Sequence, residues 1–325
     1  MSEPTRPVVA TSVAPPAATT AKVITTDRPD DDRPVVATLV APPAATTTKV
    51  VTTDSVPHAE IRLIALDMDG TLMGDDLLVS PRVRRAIAAA QARGVVVTLA
   101  TGRMFDFVIP FARDLGFTAP LICYQGGLIQ AADADAPLYR ATMDPALVRE
   151  VLELQAQRGW HLVLYADDAV FLDERRHNEA FYHYMLGERL VWVSGLDSVL
   201  DQHEPVKLIV FVEPQEGERV KAELQQRFGG RMEVARSHVR IVEGNPSGVS
   251  KVDALRWLAA YLGISQAQVM AIGDQDNDAE MIAWAGVGVA MGNGSAATKA
   301  AADWIAPPLK EDGVAVAIEH FVLRE

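Results

Sequence analysis

The chain has one cysteine, Cys123, so an intramolecular disulfide is impossible and a disulfide-stapled secreted scaffold is excluded. Cys123 stands in the apolar run Leu121-Ile122-Cys123-Tyr124, where the expected role is that of a buried strand residue. No stretch reaches the roughly 18 uninterrupted apolar residues of a membrane-spanning helix. The beginning of the chain also lacks a basic region followed by a compact apolar one, so the expectation is a cytoplasmic protein with no membrane partner. Positive charge is scarce. Against 43 Asp and Glu stand 30 Lys and Arg, a formal net charge of −13. That balance argues against nucleic acid as a partner. It still permits an anionic small molecule, because a local site or a bound cation outweighs the overall field.

With 325 residues, 49% of them hydrophobic, the chain can bury one or two ordinary cores. The first 59 residues differ in character. They carry a near-perfect tandem duplication: RPVVATSVAPPAATTAKVITTD at Arg6 to Asp27, and RPVVATLVAPPAATTTKVVTTD at Arg33 to Asp54. Two copies cannot stack into a solenoid, and Ala-Pro-Pro-Ala with runs of Thr reads as a disordered tail.

From Glu60 onward the pattern is strand, loop, helix, repeated. Ile61 to Leu66 suits a buried strand. Ser80-Pro81 opens a helix, with Ser as N-cap and Pro at the first position, and Gly94 ends it. Strands are expected at Val95 to Ala100 and Leu121 to Tyr124, and again at Val269 to Ile272 and Val287 to Met291, with a helix at Lys251 to Leu262. This βαβ rhythm predicts a parallel sheet with helices on both faces. The middle reads differently, with a helix from Pro145 to about Arg158, several strands, and a helix over Glu216 to Phe228. The expected organisation is α/β: a Rossmann-like parallel core from 60–140 and 245–325, an inserted α+β cap domain at 141–244, and the disordered N-terminal tail at 1–59.

The sharpest local feature is Asp67-Met68-Asp69-Gly70-Thr71, directly after the first apolar strand. In open α/β sheets ligands lie at the carboxyl ends of strands, where this loop must be. One carboxylate there can attack a phosphoryl group, and a second can shuttle the proton. A plain acidic turn is the alternative. Gly273-Asp274-Gln275-Asp276-Asn277-Asp278 follows another apolar strand and offers an oxygen-rich Mg²⁺ site. An EF-hand calcium loop is ruled out, because Ala285 stands where that loop needs Glu. Thr101-Gly102-Arg103 follows the second strand, so its hydroxyl and backbone N–H groups can face the same cleft. Lys251 follows Ser250 at a helix start, where anions are favoured.

The order DMDGT, TGR, SK and GDQDND resembles the four motifs of the haloacid-dehalogenase-like hydrolase superfamily. The MGNG at Met291 to Gly294, and an insertion between the second and third motifs, make the chain similar to the Cof-type phosphatases. The resemblance runs from about Glu60 to the C-terminus. It implies hydrolysis of small phosphate monoesters through an aspartyl phosphate, with Asp67 as nucleophile and Asp69 as general acid/base. It further implies Mg²⁺ held by Asp67, the backbone carbonyl of Asp69, and Asp274, with Asp278 in support. Thr101, Gly102, Lys251 and Asn277 would bind phosphate. Three positions depart from the family pattern: Val252 for the usual Gly, Gln125 for the usual Asn, and Gln275 for a frequent Gly. The expected substrates are sugar phosphates or phosphorylated cofactors, handled by a monomer or homodimer. A disaccharide-phosphate phosphatase and a non-catalytic ligand-binding protein are the alternatives. In the cap, Arg175, Arg176, His177, His183 and His238 are candidates to meet substrate. Trp160, Trp192, Phe181, Tyr182 and Tyr184 are expected in the cap core.

Overall fold

The structure, a computed structural model, describes residues 59–187 and 189–324, so the duplicated tail lies outside the described residues. The chain opens with β1 (Leu63–Leu66), α1 (Pro81–Ala92), β2 (Val96–Leu99) and α2 (Phe105–Asp114). Three short strands follow: β3 (Leu121–Cys123), β4 (Leu128–Gln130) and β5 (Tyr139–Arg140). Next come α3 (Pro145–Arg158), β6 (His161–Ala166), β7 (Ala169–Leu172), α4 (Glu179–Leu186) and β8 (Leu190–Trp192). They are followed by β9 (Pro205–Phe211), α5 (Gly217–Phe228), β10 (Met232–His238) and β11 (Ile241–Pro246). The remainder is α6 (Lys251–Tyr261), β12 (Val269–Gly273), α7 (Ala279–Trp284), β13 (Val287–Ala290), α8 (Ala296–Ala301), β14 (Trp304–Ile305) and α9 (Gly313–Ile318). None of the described helices is long and apolar enough to cross a membrane.

A parallel sheet in the order β14-β13-β12-β1-β2 forms the core. β1, β12 and β13 are buried along their whole length, which is why they read as unbroken apolar runs. β1 is central, and its register puts Leu66 beside Ile272 on one flank and Leu99 on the other. The loops that leave these strands therefore emerge side by side. Helix starts follow their capping chemistry: Ser80 accepts from Val83 N–H, and Ser250 accepts from Asp253 N–H. The second cap makes Lys251 the first residue of α6 and points its helix start at the sheet end.

The expected third parallel strand takes another form. β3 makes a single parallel bridge to the core, Ala100 with Ile122, and pairs antiparallel with β4, which pairs with β5. The turn at Gly126-Gly127 folds the chain straight back on itself, so a hairpin replaces the crossover.

A six-stranded sheet, β10-β11-β9-β6-β7-β8, comes entirely from the stretch between β5 and α6. It is antiparallel except for the β7–β8 edge pair. Its alternation sorts the side chains into two faces. Leu162, Leu164, Leu208 and Val210 pack with α3 and α5, including Leu147, Val151, Val220 and Leu224. Val163, Tyr165, Ile209 and Ile241 belong instead to the apolar cluster shared with the core.

Tyr182 is completely buried in the cap, and its ring meets those of His161, His177 and Trp192. Tyr184 departs from its expected place in that core, being 45% exposed at the cavity mouth. Two positions along α4 are not the same face, so Tyr182 and Tyr184 cannot both point inward. Burial, followed by the Arg176 and His177 charges, lowers the His161 pKa from 6.5 to about 4. The unfolded chain therefore binds the proton first, and stability due to neutral His161 is full above pH 6.5 and lost as pH falls toward 4. The expected loss across that window is about 2 kcal/mol after allowance for partial solvation of the ring. In urea midpoints compared at both ends of the window, wild type should lose ground to His161→Phe as pH falls. Parallel pH dependence in the two proteins would contradict the assignment.

Candidate active site

Asp67 is the first residue beyond β1, and its N–H donates to Ile272 O at 2.9 Å, the last bond of that ladder. Pairing then ends, and the side chains of the two strand-end loops converge. The Asp67, Asp274 and Asp278 carboxylates offer oxygen atoms within 4.8 Å of one another, all buried. Lys251 lies among them, its Nζ donating to Asp67 Oδ1 and to Asp278 Oδ1, each at 2.6 Å. Asp278 Oδ2 accepts from the N–H groups of Asp274 and Gln275, both at 2.9 Å. Asp274 accepts from the Thr71 hydroxyl at 2.8 Å and the Gln275 amide at 2.7 Å, joining loops 203 residues apart.

The electrostatics are those of a site short of positive charge. Burial, then the Asp278 carboxylate, raise Asp67 well above the ordinary Asp range, and Lys251 only partly offsets them. Asp274 is raised too, by burial first, with the Thr71 hydrogen bond working the other way. Burial opposes the Lys251 charge, but Asp278 and Asp67 outweigh it and raise the ammonium. One lysine cannot balance three carboxylates, and hard oxygen donors in this number suit a divalent cation. Gly70 sits at φ +87, and a Cβ there would meet Asp274 Oδ2 at 2.4 Å, so only glycine lets the first loop pass this close.

Asp69 is placed differently from Asp67. Its carboxylate lies outside the cluster and receives both Nε and Nη2 of Arg103, each at 2.9 Å. Arg103 also donates to Tyr184 O, at 3.3 Å, and so ties this carboxylate to the cap. The Thr101 hydroxyl accepts from Arg103 N–H at 3.1 Å. The Thr101 N–H, expected to face the cleft, donates instead to Ile122 O at 2.9 Å, because the bridge to β3 claims it. Gly102 and Asn277 line the same cavity as Asp67, Asp69 and Lys251, a space of about 140 Å³.

Residues 64–318 match the haloacid dehalogenase-like hydrolase family. The chain belongs to this family. Among its relatives is the 5-amino-6-(5-phospho-D-ribitylamino)uracil phosphatase YcsE of Bacillus subtilis, 32% identical over 81% of the chain and 97% of that protein. The HMP-PP phosphatase of Serratia proteamaculans is also 32% identical, over 71% of the chain and 84% of the relative. A haloacid dehalogenase-like hydrolase from Bacteroides thetaiotaomicron has the same fold, with a TM-score of 0.72 and 28% identity over 80% of the chain and 99% of its own. The protein is thus a hydrolase whose relatives are phosphatases.

In this hydrolase the cap supplies more of the cavity than motifs reveal. Lys207 on β9 and Glu243 on β11 are nearly fully buried and paired at 2.8 Å. Both line the cavity, with Tyr165 and His238. Their signal in the sequence is a charge inside an otherwise apolar strand, as in Val206-Lys207-Leu208-Ile209, at a position the two-residue alternation turns inward. Of the proposed cap residues, only His238 borders the cavity, with its pKa lowered by burial, then Arg103 and Arg240. Arg175 lies over the Trp192 ring, Arg176 pairs with Glu174, and His177 packs against Phe181.

Proposed function

We propose that this hydrolase is a Mg²⁺-dependent phosphatase acting on small phosphate monoesters through an aspartyl phosphate on Asp67. The observation that carries the reading is buried Lys251 set among three buried carboxylates at the ends of β1 and β12. Asp67, Asp274 and Asp278 would hold Mg²⁺, with the Asp69 carbonyl completing the protein's share. Bound there, the cation neutralises the substrate dianion and the Asp67 charge.

Asp67 attacks phosphorus, and the bond from phosphorus to the leaving alcohol oxygen breaks. Asp69 gives that oxygen a proton. Water then attacks the aspartyl phosphate, Asp69 takes a proton back, and inorganic phosphate leaves with Asp67 restored. Proton donation requires Arg103 to release the Asp69 carboxylate, since both its oxygens are engaged. Thr101, Gly102, Lys251 and Asn277 serve the phosphate. We assign residues 141–244 as the lid that excludes water and chooses the leaving group.

The cap side of the cavity mixes apolar side chains, Met104, Phe107, Met185, Leu186, Ile209 and Ile241, with the polar groups of Arg103, Tyr165, Lys207, His238 and Glu243. A bare disaccharide, hydroxylated all round, would leave the hydroxyls that face the apolar part unsatisfied. Phosphorylated cofactors or their precursors fit better, and one relative is named for a phosphorylated uracil derivative. Phosphate release from a panel of phosphorylated metabolites should require Mg²⁺, stop with chelator and return on adding Mg²⁺ back. Release that is indifferent to chelator would overturn the metal assignment.

A further inference from the structure

A chain of hydrogen bonds runs from the cap to the phosphate end of the cavity, and each of its links has a forced direction. Lys207 Nζ donates to Glu243 Oε1 at 2.8 Å. A carboxylate only accepts, so Glu243 Oε2 takes an N–H from Gln125 Nε2, at 3.2 Å. That contact turns Gln125 Oε1 the other way, where it accepts from Asn277 Nδ2 at 2.8 Å. Were the Asn277 amide reversed, two carbonyl oxygens would meet at that distance. Asn277 Oδ1 is buried with no hydrogen-bond partner among the described residues, the cost of holding this orientation.

We propose that Gln125 is a positioning residue: with Lys207 and Glu243 of the cap, it fixes the Asn277 amide so that an N–H, not the carbonyl, serves the substrate phosphate. The proposal rests on the reading of Asn277 as a phosphate ligand. Asn277 Nδ2 carries two hydrogens, and Gln125 takes one, leaving the second for an anionic oxygen. A carbonyl in its place would repel the phosphate.

The site is built around this side chain. Gln125 is buried, and its backbone is held at φ +58, following Tyr124 at φ +51. Both are unusual for residues with a Cβ and mark a turn held by its surroundings. The Gln125 N–H donates to Thr101 O at 3.0 Å, anchoring the turn to the phosphate loop. A Cβ on Gly102 would meet Gln125 Nε2 at 2.5 Å, so glycine there makes room for the amide. Lys207 donates a second bond to Gly102 O, at 3.1 Å. The β9 and β11 strands of the cap therefore touch both the phosphate loop and the chain that orients Asn277. Seating of the cap and readiness for phosphate are one event: when Glu243 withdraws, nothing dictates which end of the Gln125 amide faces Asn277. Asparagine at 125 would fall a methylene short of bridging the two.

The test uses the full chain with Mg²⁺, turnover of p-nitrophenyl phosphate, and inorganic phosphate as a competitive inhibitor. Asn277→Ala should raise the phosphate inhibition constant about tenfold, the worth of one hydrogen bond to a charged group. Gln125→Met, of similar length but without the amide, should by itself reproduce most of that loss of affinity. The double variant should be no worse than Asn277→Ala alone, while Mg²⁺ affinity stays put. Gln125→Asn provides a second variant that keeps the polarity and should behave as Gln125→Met does. An unchanged inhibition constant in Gln125→Met and Gln125→Asn, beside a weakened Asn277→Ala, would overturn the relay alone. So would multiplicative losses in the double variant. No effect of Asn277→Ala would remove its phosphate role, and the relay with it.

Discussion

The Asp67→Asn protein is expected to lose turnover by about four orders of magnitude or more while keeping its fold. An amide lacks the charge needed to attack phosphorus, and no other carboxylate replaces Asp67: Asp274 and Asp278 are tied into the second loop, and Asp69 is held by Arg103. The stability effect has the opposite sign. Burial and Asp278 raise the folded-state pKa of Asp67, so in metal-free protein its ionised form weakens the fold at any pH above its ordinary 3.8. Asn removes that charge at nearly constant shape, and Lys251 keeps Asp278 as a partner. Thermal denaturation in chelator should therefore place the variant level with wild type or above it. Phosphate release near the wild-type rate would remove Asp67 from the chemistry.

Lys251→Met should give the largest loss of stability of any substitution at the site. The ammonium and its two partner carboxylates are almost completely buried, and each contact is 2.6 Å long. Methionine matches the stem but leaves a set of buried carboxylates with no counter-charge, an arrangement that costs about 3–5 kcal/mol. Urea unfolding in chelator should show that loss. Saturating Mg²⁺ should return part of it, because the cation meets the same carboxylates. Activity should fall by about two to four orders of magnitude even with Mg²⁺, through the lost charge on the phosphate. Equal destabilisation with and without Mg²⁺ would show that lysine and metal do not share one charge cluster.

Much of this site was legible in the sequence because strand ends are local features. The apolar runs Leu63 to Leu66 and Val269 to Ile272 stop at polar clusters, and a buried parallel sheet brings such ends together. The caps at Ser80 and Ser250 could be read the same way. The helix over Phe105 to Asp114 could not. It contains Pro110, and its N-cap, Met104, makes no side-chain cap bond; burial of Phe105, Val108 and Ala112 holds it instead. The β3–β4–β5 hairpin was hidden for a related reason, since strands of two or three residues carry little periodicity. The clamp of Arg103 on Asp69 and the pairing of Lys207 with Glu243 are long-range contacts. Their residues carry a local hint, but their partners are set by how the two sheets face each other.

The central claim, a covalent phosphoryl transfer to Asp67, is tested most directly by the stereochemical course at phosphorus. A chiral thiophosphate monoester, hydrolysed in oxygen-isotope-labelled water with Mg²⁺, would have its product configuration assigned. Transfer to Asp67 and then to water inverts the centre twice, so net retention is the predicted result. Net inversion would show a single direct attack by water, and Asp67 would then be no more than a metal ligand.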